Sequence, residues 1–290
     1  MPENIQIGVI GGSGLYQMPE LTDIEKVAIE TPFGKPSADV VVGTLGGKRV
    51  AFIPRHGIGH VYTPTTIPYR ANICALKMLG VRFIVAVSAC GSLRKDYEPG
   101  NIVIPDQLVD FTKAERGRTF FDTGLVAHIS SAEPFCPELG RIAAKAVRAV
   151  GGTVREGGTY VTIEGPRFST RAESHIFRQW DCSIVGMTTS PEAILAREAE
   201  IAYTIMAHIT DYDVWHEEPV SVELVVKTMN ENLRIAQKAV ARTVELIDPS
   251  VACSCHHALD NAIMTDRSAI QINKLRPIVG RLFADAGWTR

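Results

Sequence analysis

Apolar residues along the chain fall into two alternating patterns. Runs of five or six at 5–10, 50–54, 83–87, 160–164, 182–187 and 205–210 read as buried strands. Longer segments at 69–79, 138–150, 191–200, 221–247 and 270–283 read as helices, the last interrupted by Pro277. In the fourth of these, Val222, Val225, Val226 and Met229 recur at three-to-four spacing on one face. Strands alternating with helices predict an α/β fold, with a central parallel or mixed sheet covered by helices. The spacing is too irregular for internal repeats, and no Pro/Gly/Ser-rich linker divides the chain. Residues 1–290 therefore read as one large domain, with Asp110 to Asp122 and the tail after Pro249 as excursions from it. Residues from about 250 onward read as a helical C-terminal extension.

The strand-like runs end in chemically distinct segments. The first enters Gly11-Gly-Ser-Gly14, the second Arg55-His56 and the third Ser88-Ala-Cys-Gly-Ser92. The others enter Gly165-Pro-Arg-Phe-Ser169, Thr188-Thr189 and Asp211-Tyr-Asp213. In open α/β sheets ligands collect outside the carboxyl ends of strands, where loops and helix N-termini turn polar groups into one crevice. These exits supply a basic pair, hydroxyls, an aromatic ring and two acids.

Size and charge narrow the partner. With 30 basic and 32 acidic side chains in 290 residues, there is no broad cationic field for nucleic acid or a membrane surface. The N-terminus lacks a basic region followed by an apolar stretch, and no apolar run approaches the roughly 20 residues needed to span a bilayer. A cytoplasmic protein with a small-molecule partner is expected. Cys74, Cys90 and Cys182 lie in or beside apolar stretches as reduced core residues, and Cys136 stands alone in Pro-Phe-Cys-Pro. Cys253-Ser-Cys255-His256-His257 has no second half of a zinc framework elsewhere in sequence, so no metal is expected there.

Each exit has an ordinary reading beside a functional one. Gly11 to Gly14 could hold an anion through backbone N–H groups and the Ser13 hydroxyl, or simply turn a strand into a helix. It is not a dinucleotide fingerprint, because the third glycine position falls on Gln17, and the P-loop lysine is also missing. Arg55 offers a planar fork to an oxyanion, with His56 as a further donor, or forms a surface salt bridge. His60 lies four residues beyond His56, but Gly57 and Gly59 argue against the helix a metal pair would need. Ser88 and Thr188 either complete an anion cradle or cap helices. Phe168 is a face for a planar base, with Ser169 beside it, or a core ring. Asp211 and Asp213, two apart in an extended segment, would point to the same side and lack the acidic surroundings of a calcium loop. They form a solvated loop that happens to be acidic, or suit recognition of a heterocycle: one acid protonated by burial, the other accepting from an amine.

Taken in order, G-V-I-G-G-S-G-L, T-P-F-G-K-P-S, R-H-G, Y-R-A-N-I-C-A-L-K, A-C-G-S-L-R, P-G-N-I-V-I-P-D-Q, A-E-P-F-C-P, T-I-E-G-P-R-F-S-T-R-A-E, M-T-T-S-P-E-A-I-L-A-R-E-A and T-D-Y-D-V-W resemble the trimeric purine nucleoside phosphorylases, particularly the branch acting on 5'-methylthioadenosine. The match runs from about residue 8 to about 230. The resemblance implies a single-domain fold around a distorted, barrel-like mixed sheet. It implies reversible phosphorolysis to adenine and 5-methylthioribose 1-phosphate in purine and methionine salvage, with phosphate as co-substrate and no cofactor.

Carried over by motif, Ser13, Arg55, His56, Ser88, Thr188 and the backbone of Ala89 would hold phosphate. Met187 would pack on the ribose, Phe168 and Ser169 would flank the base, and Asp211 would protonate N7 while Asp213 faces the 6-amino group. Val222, Val225 and Val226 would meet the methylthio group, with Ser169 and Val222 setting specificity. His128 would come from a neighbouring subunit of a homotrimer, with pairing into a dimer of trimers left open. Ser13 and Ser88 stand where the family commonly has threonine, and Ser190 where it has an apolar residue. The rivals are a water-using nucleosidase, a phosphorylase of 6-oxopurine nucleosides such as inosine, and a non-catalytic nucleoside sensor.

Overall fold

The computed structural model describes residues 5–216, 221–271 and 274–284. Eleven strands form one mixed sheet: β1 (Ile7–Gly11), β2 (Thr22–Val27), β3 (Val40–Leu45), β4 (Lys48–Pro54), β5 (Phe83–Ser92), β6 (Ile102–Ile104), β7 (Gln107–Phe111), β8 (Val154–Glu156), β9 (Thr159–Ile163), β10 (Cys182–Gly186) and β11 (Ala202–Asp211). Around it lie α1 (Tyr69–Met78), α2 (Pro137–Ala149), α3 (Arg171–Gln179), α4 (Thr189–Glu198), α5 (Val222–Leu246) and α6 (Arg276–Ala284). Among the described residues no helix is long and apolar enough to cross a membrane.

The strand order β2-β3-β4-β1-β5-β10-β9-β7 branches at β5, which also pairs with β11, and β11 continues through β6 to β8. The expected barrel-like sheet does not close, since β2, β7 and β8 each pair with a single neighbour. Apolar runs replace clean alternation because the central strands are covered on both faces. Ile7 and Val9 of β1 pack with Ala143 and Val147 of α2 and Ala239 and Val240 of α5. Ile10 instead joins Ile73 and Leu76 of α1 and Leu195 of α4. The described tail returns to this second layer through Ile270, Leu275, Ile278 and Val279.

Several boundaries differ from those expected. β5 runs five residues past Val87, to Ser92, because β11 pairs with it from Phe83 to Gly91 and β10 then takes up Gly91 and Ser92. Helix α6 begins only at Arg276, placing Pro277 in the first turn, where its missing N–H leaves no bond unmade. Helix α3 is additional to the expected elements, although Thr170 and Glu173 close a capping box at its start.

On the other edge of β5, β1 pairs only as far as Ala86, and β10 pairs from Gly91. Among the described residues, Val87 to Cys90 therefore present a strand edge with no strand beside it. This break in the sheet makes room for a ligand. Its far side depends on Gly186 at the end of β10, where a Cβ would lie 1.8 Å from the buried Tyr160 Oη. Gly186→Ala is expected to destabilise the protein by about 1–3 kcal/mol through overpacking, read as a lower urea midpoint; an unchanged midpoint would show that the junction is soft.

Candidate active site

A cavity of about 730 Å³ fills the break, lined by Val87 to Gly91 of β5 together with the ends of β1, β4, β9, β10 and β11. At one limit of the open edge, Arg55 Nη1 donates to the Val87 carbonyl at 2.9 Å. At the other, Gly91 lies beside Asp211, so close that a Cβ there would sit 2.9 Å from Asp211 Oδ1. Four residues of strand separate these points, or about 13 Å at the usual rise.

The Arg55 fork does not stand free for an anion. Its Nε and Nη2 donate to both carboxylate oxygens of Glu192, each at 2.8 Å, and Tyr203 Oη donates to Glu192 Oε1 at 2.8 Å. Both partners are buried, and the raised Arg55 pKa reflects burial opposed and outweighed by Glu192. Arg55 does form a salt bridge, but a buried one rather than the surface pair that was the ordinary expectation. Arg55 is among the residues lining the cavity while its charge is matched. His56 is held by a backbone partner as well. Its Nδ1 lies 2.9 Å from the Tyr62 carbonyl, which can only accept, so Nδ1 carries the hydrogen. Burial holds the ring near a pKa of about 4. Neutral, its Nε2 accepts; the side chain can donate to an anion only when protonated.

The other donors expected at this end line the cavity. Ser88 lies within β5 rather than at its exit, and Ala89 is beside it. Thr188 is the N-cap residue of α4, but its side chain makes no cap bond, and its buried Oγ1 has no hydrogen-bond partner among the described residues. Gly12 and Gly14 line the cavity on either side of Ser13, whose side chain lies outside the described residues. At Gly11 a Cβ would meet the tip of the Leu15 side chain, which would have to shift.

The two acids are held by a local turn rather than by strand alternation. β11 ends at Asp211, whose Oδ1 accepts from the Asp213 N–H and whose Oδ2 accepts from Thr210 Oγ1, both at 2.7 Å. Asp213 adopts φ of 51°, a left-handed conformation that aspartate tolerates better than most residues. Both side chains line the cavity and are buried. Burial pushes Asp211 up to about 6 despite its two donors, with the Asp213 charge adding to the rise. Burial raises Asp213 too, against the Ser174 and Ser169 hydroxyls, which approach it without closing a hydrogen bond. Asp213 Oδ2, Ser169 Oγ and Ser174 Oγ are buried without partners among the described residues. Buried polar atoms rarely stay unpaired, so several around one cavity mark a place for a polar ligand.

Phe168 and Met187 also line the cavity, as do Val225 and Val226. Val222 does not; it is 66% exposed. His128 is likewise outside the lining, with its N–H on the Ala262 carbonyl. Ser190 is explained by its partner: its Oγ donates to Asp110 Oδ2 at 2.8 Å. His208 escapes sequence reasoning because it is hidden in an apolar run. It projects from β11 into the cavity with a buried, unpartnered Nε2 among the described residues, and burial lowers its pKa to about 4.

Residues 6–245 match the model of the phosphorylase superfamily. The chain belongs to that superfamily. An S-methyl-5'-thioadenosine phosphorylase of Chloroflexus aurantiacus is 51% identical over 96% of this chain and 98% of its own, and one of Geobacter sulfurreducens 50% over 91% and 93%. Among solved structures, a methylthioadenosine phosphorylase from an antarctic soil metagenomic library superposes with a TM-score of 0.91, 47% identity and coverage of 97% and 99%. The Schistosoma mansoni methylthioadenosine phosphorylase in complex with adenine gives 0.83, 35%, 92% and 99%. The branch of the superfamily indicated by the sequence motifs is therefore the right one.

Within this superfamily member, Glu192 anchors one side of the cavity. Glu192→Ala would leave the buried Arg55 charge unmatched and is expected to cost about 3–5 kcal/mol, measured as a fall in the urea midpoint. A loss under about 1 kcal/mol would mean that Arg55 finds another partner or water.

Proposed function

We propose that the protein cleaves 5'-methylthioadenosine with inorganic phosphate, reversibly giving adenine and 5-methylthioribose 1-phosphate. The reading is carried by one cavity that presents an unpartnered Thr188 hydroxyl and an open strand edge together with a buried acid of raised pKa, Asp211, and an unpartnered acceptor on Asp213. The shared name of the relatives supports it. Phosphate is assigned to the remaining Arg55 donors, Ser13, Ser88, the Ala89 backbone, Thr188 and His56 when protonated. As co-substrate it attacks the anomeric carbon while the C–N bond breaks through a cation-like sugar, which the neighbouring anion stabilises. No cofactor is assigned.

Asp211 hands its proton to purine N7, so negative charge does not build on the leaving base. Asp213, with Ser169, accepts from the 6-amino group; a 6-oxo group would face a carboxylate instead. Phe168 and Met187 supply apolar surface to base and ribose, and Val225 and Val226 to the methylthio group. We infer a homotrimer in which His128 serves a neighbouring copy, and a cytoplasmic setting consistent with six free, buried cysteines.

Adenine release from methylthioadenosine should require phosphate, and inosine should react poorly; release undiminished without phosphate would convert the assignment to a hydrolase. Asp211→Asn is expected to lower turnover roughly 10²- to 10⁴-fold while the protein stays folded, whereas near-normal turnover would remove Asp211 as the proton donor. The acid form of Asp211 is lost as pH rises through about 6. At fixed phosphate dianion concentration, kcat/KM for methylthioadenosine should therefore fall on the alkaline side of an apparent pKa at or above that value. Asp213→Asn removes a like charge and should move this limb to lower pH; a limb that stays in place would assign the titration to another group.

A further inference from the structure

The tail motif that the catalytic reading leaves unused is completed by a residue far away in sequence. Cys253 and Cys255 flank the start of a 3-10 turn at Ser254–His257, and the fold brings them against Cys136, the N-cap residue of α2. The three sulfurs lie within 4.8 Å of one another, with Cys136 Sγ 3.5 Å from Cys253 Sγ, and all three residues are buried. Beyond position 245 the tail is outside the region matched by the superfamily model.

We infer that Cys136, Cys253 and Cys255 form a binding site for a thiophilic divalent cation of the zinc type. Zinc binds thiolate at about 2.3 Å, so sulfurs sharing one tetrahedral ion stand about 3.8 Å apart. The observed spacing is near this and well above the roughly 2.05 Å of a disulfide. Electrostatics agree with a divalent ion. Arg197 Nη1 donates to Cys255 Sγ at 3.9 Å, and the Leu139 N–H at the start of α2 donates to Cys136 Sγ at 3.4 Å. Three thiolates, a doubly charged cation and one guanidinium sum to zero, which limits the cost of burying the group. Binding converts three thiols to thiolates and releases three protons, with no change of oxidation state. The fourth position falls to water, which keeps that sum at zero; the Glu138 carboxylate, 3.5 Å from Cys136 Sγ, would add a charge if it took the place instead. The other three cysteines, Cys74, Cys90 and Cys182, are not in the cluster.

Such a site would act as a clamp. Cys136 is fixed to β11 by its N–H on the Tyr203 carbonyl at 2.8 Å, and Tyr203 in turn donates to Glu192. A shared ion would tie the tail to the strand that ends in Asp211.

The test uses the full chain, reduced and freed of metal, titrated with cobalt(II) without oxygen and then with zinc. One cobalt per chain should bind with a near-ultraviolet thiolate-to-cobalt charge-transfer band, and zinc should displace it. Cys255→Ala, and separately Cys136→Ala, should abolish the band while phosphorolysis of methylthioadenosine reports that each variant is folded. No band in the reduced wild type, or a band unchanged in both folded variants, would overturn the site. So would loss of two hydrogens by mass under reducing conditions, which would mean a disulfide, or uptake of copper(I) with neither cobalt nor zinc bound.

Discussion

The cavity depends on an edge of β5 that no strand covers. A sheet interior normally satisfies each strand on both sides, but β1 stops at Ala86 and β10 starts at Gly91. Arg55 keeps the break from collapsing: it satisfies the Val87 carbonyl and fastens β4 to α4 through Glu192. A bidentate charged pair, almost fully buried, is rigid because any departure from its geometry strands a charge in a poor solvent. The arginine holds the wall: its fork is engaged by Glu192 and by the Val87 carbonyl.

This division of labour shapes the electrostatics of the whole pocket. Arg55 is neutralised by Glu192, and His56 and His208 are kept neutral by burial, so none of these three bases presents a free positive charge that would draw protons off the two aspartates. Burial can therefore raise Asp211 to about 6, although it already accepts two hydrogen bonds. A lone, unmatched arginine in the same place would lower that pKa and weaken the acid.

The sequence was legible where local chemistry decides. Strands buried on both faces showed as apolar runs, and the polar groups at their ends marked most of the cavity wall. The Asp211–Asp213 pair was also visible, although a backbone turn rather than side-chain alternation fixes it. Partners distant in sequence were not legible. Glu192 is 137 residues from Arg55, and nothing near either announces the pair. Cys136 looked isolated because its neighbours lie 117 positions or more away. His208 is masked by the apolar strand around it, and the length of β5 is set by β11 and β10. Strands β2, β3, β6, β7 and β8 were not among the six expected: β2 is mostly exposed and lacks an apolar run, and β6 and β8 are only three residues long.

Arg116 and Glu164 bind the two halves of the pocket wall together. The Glu164 carboxylate accepts from Thr65, Lys113, Ala114 and Arg116, and Arg116 also donates to the carbonyls of Met187 and Ser190. The segment leading to Phe168 is thereby geared to the turn bearing Thr188. A substitution at Glu164 or Arg116 would therefore disturb both stretches of wall at once, since one hydrogen-bonded cluster fixes them together.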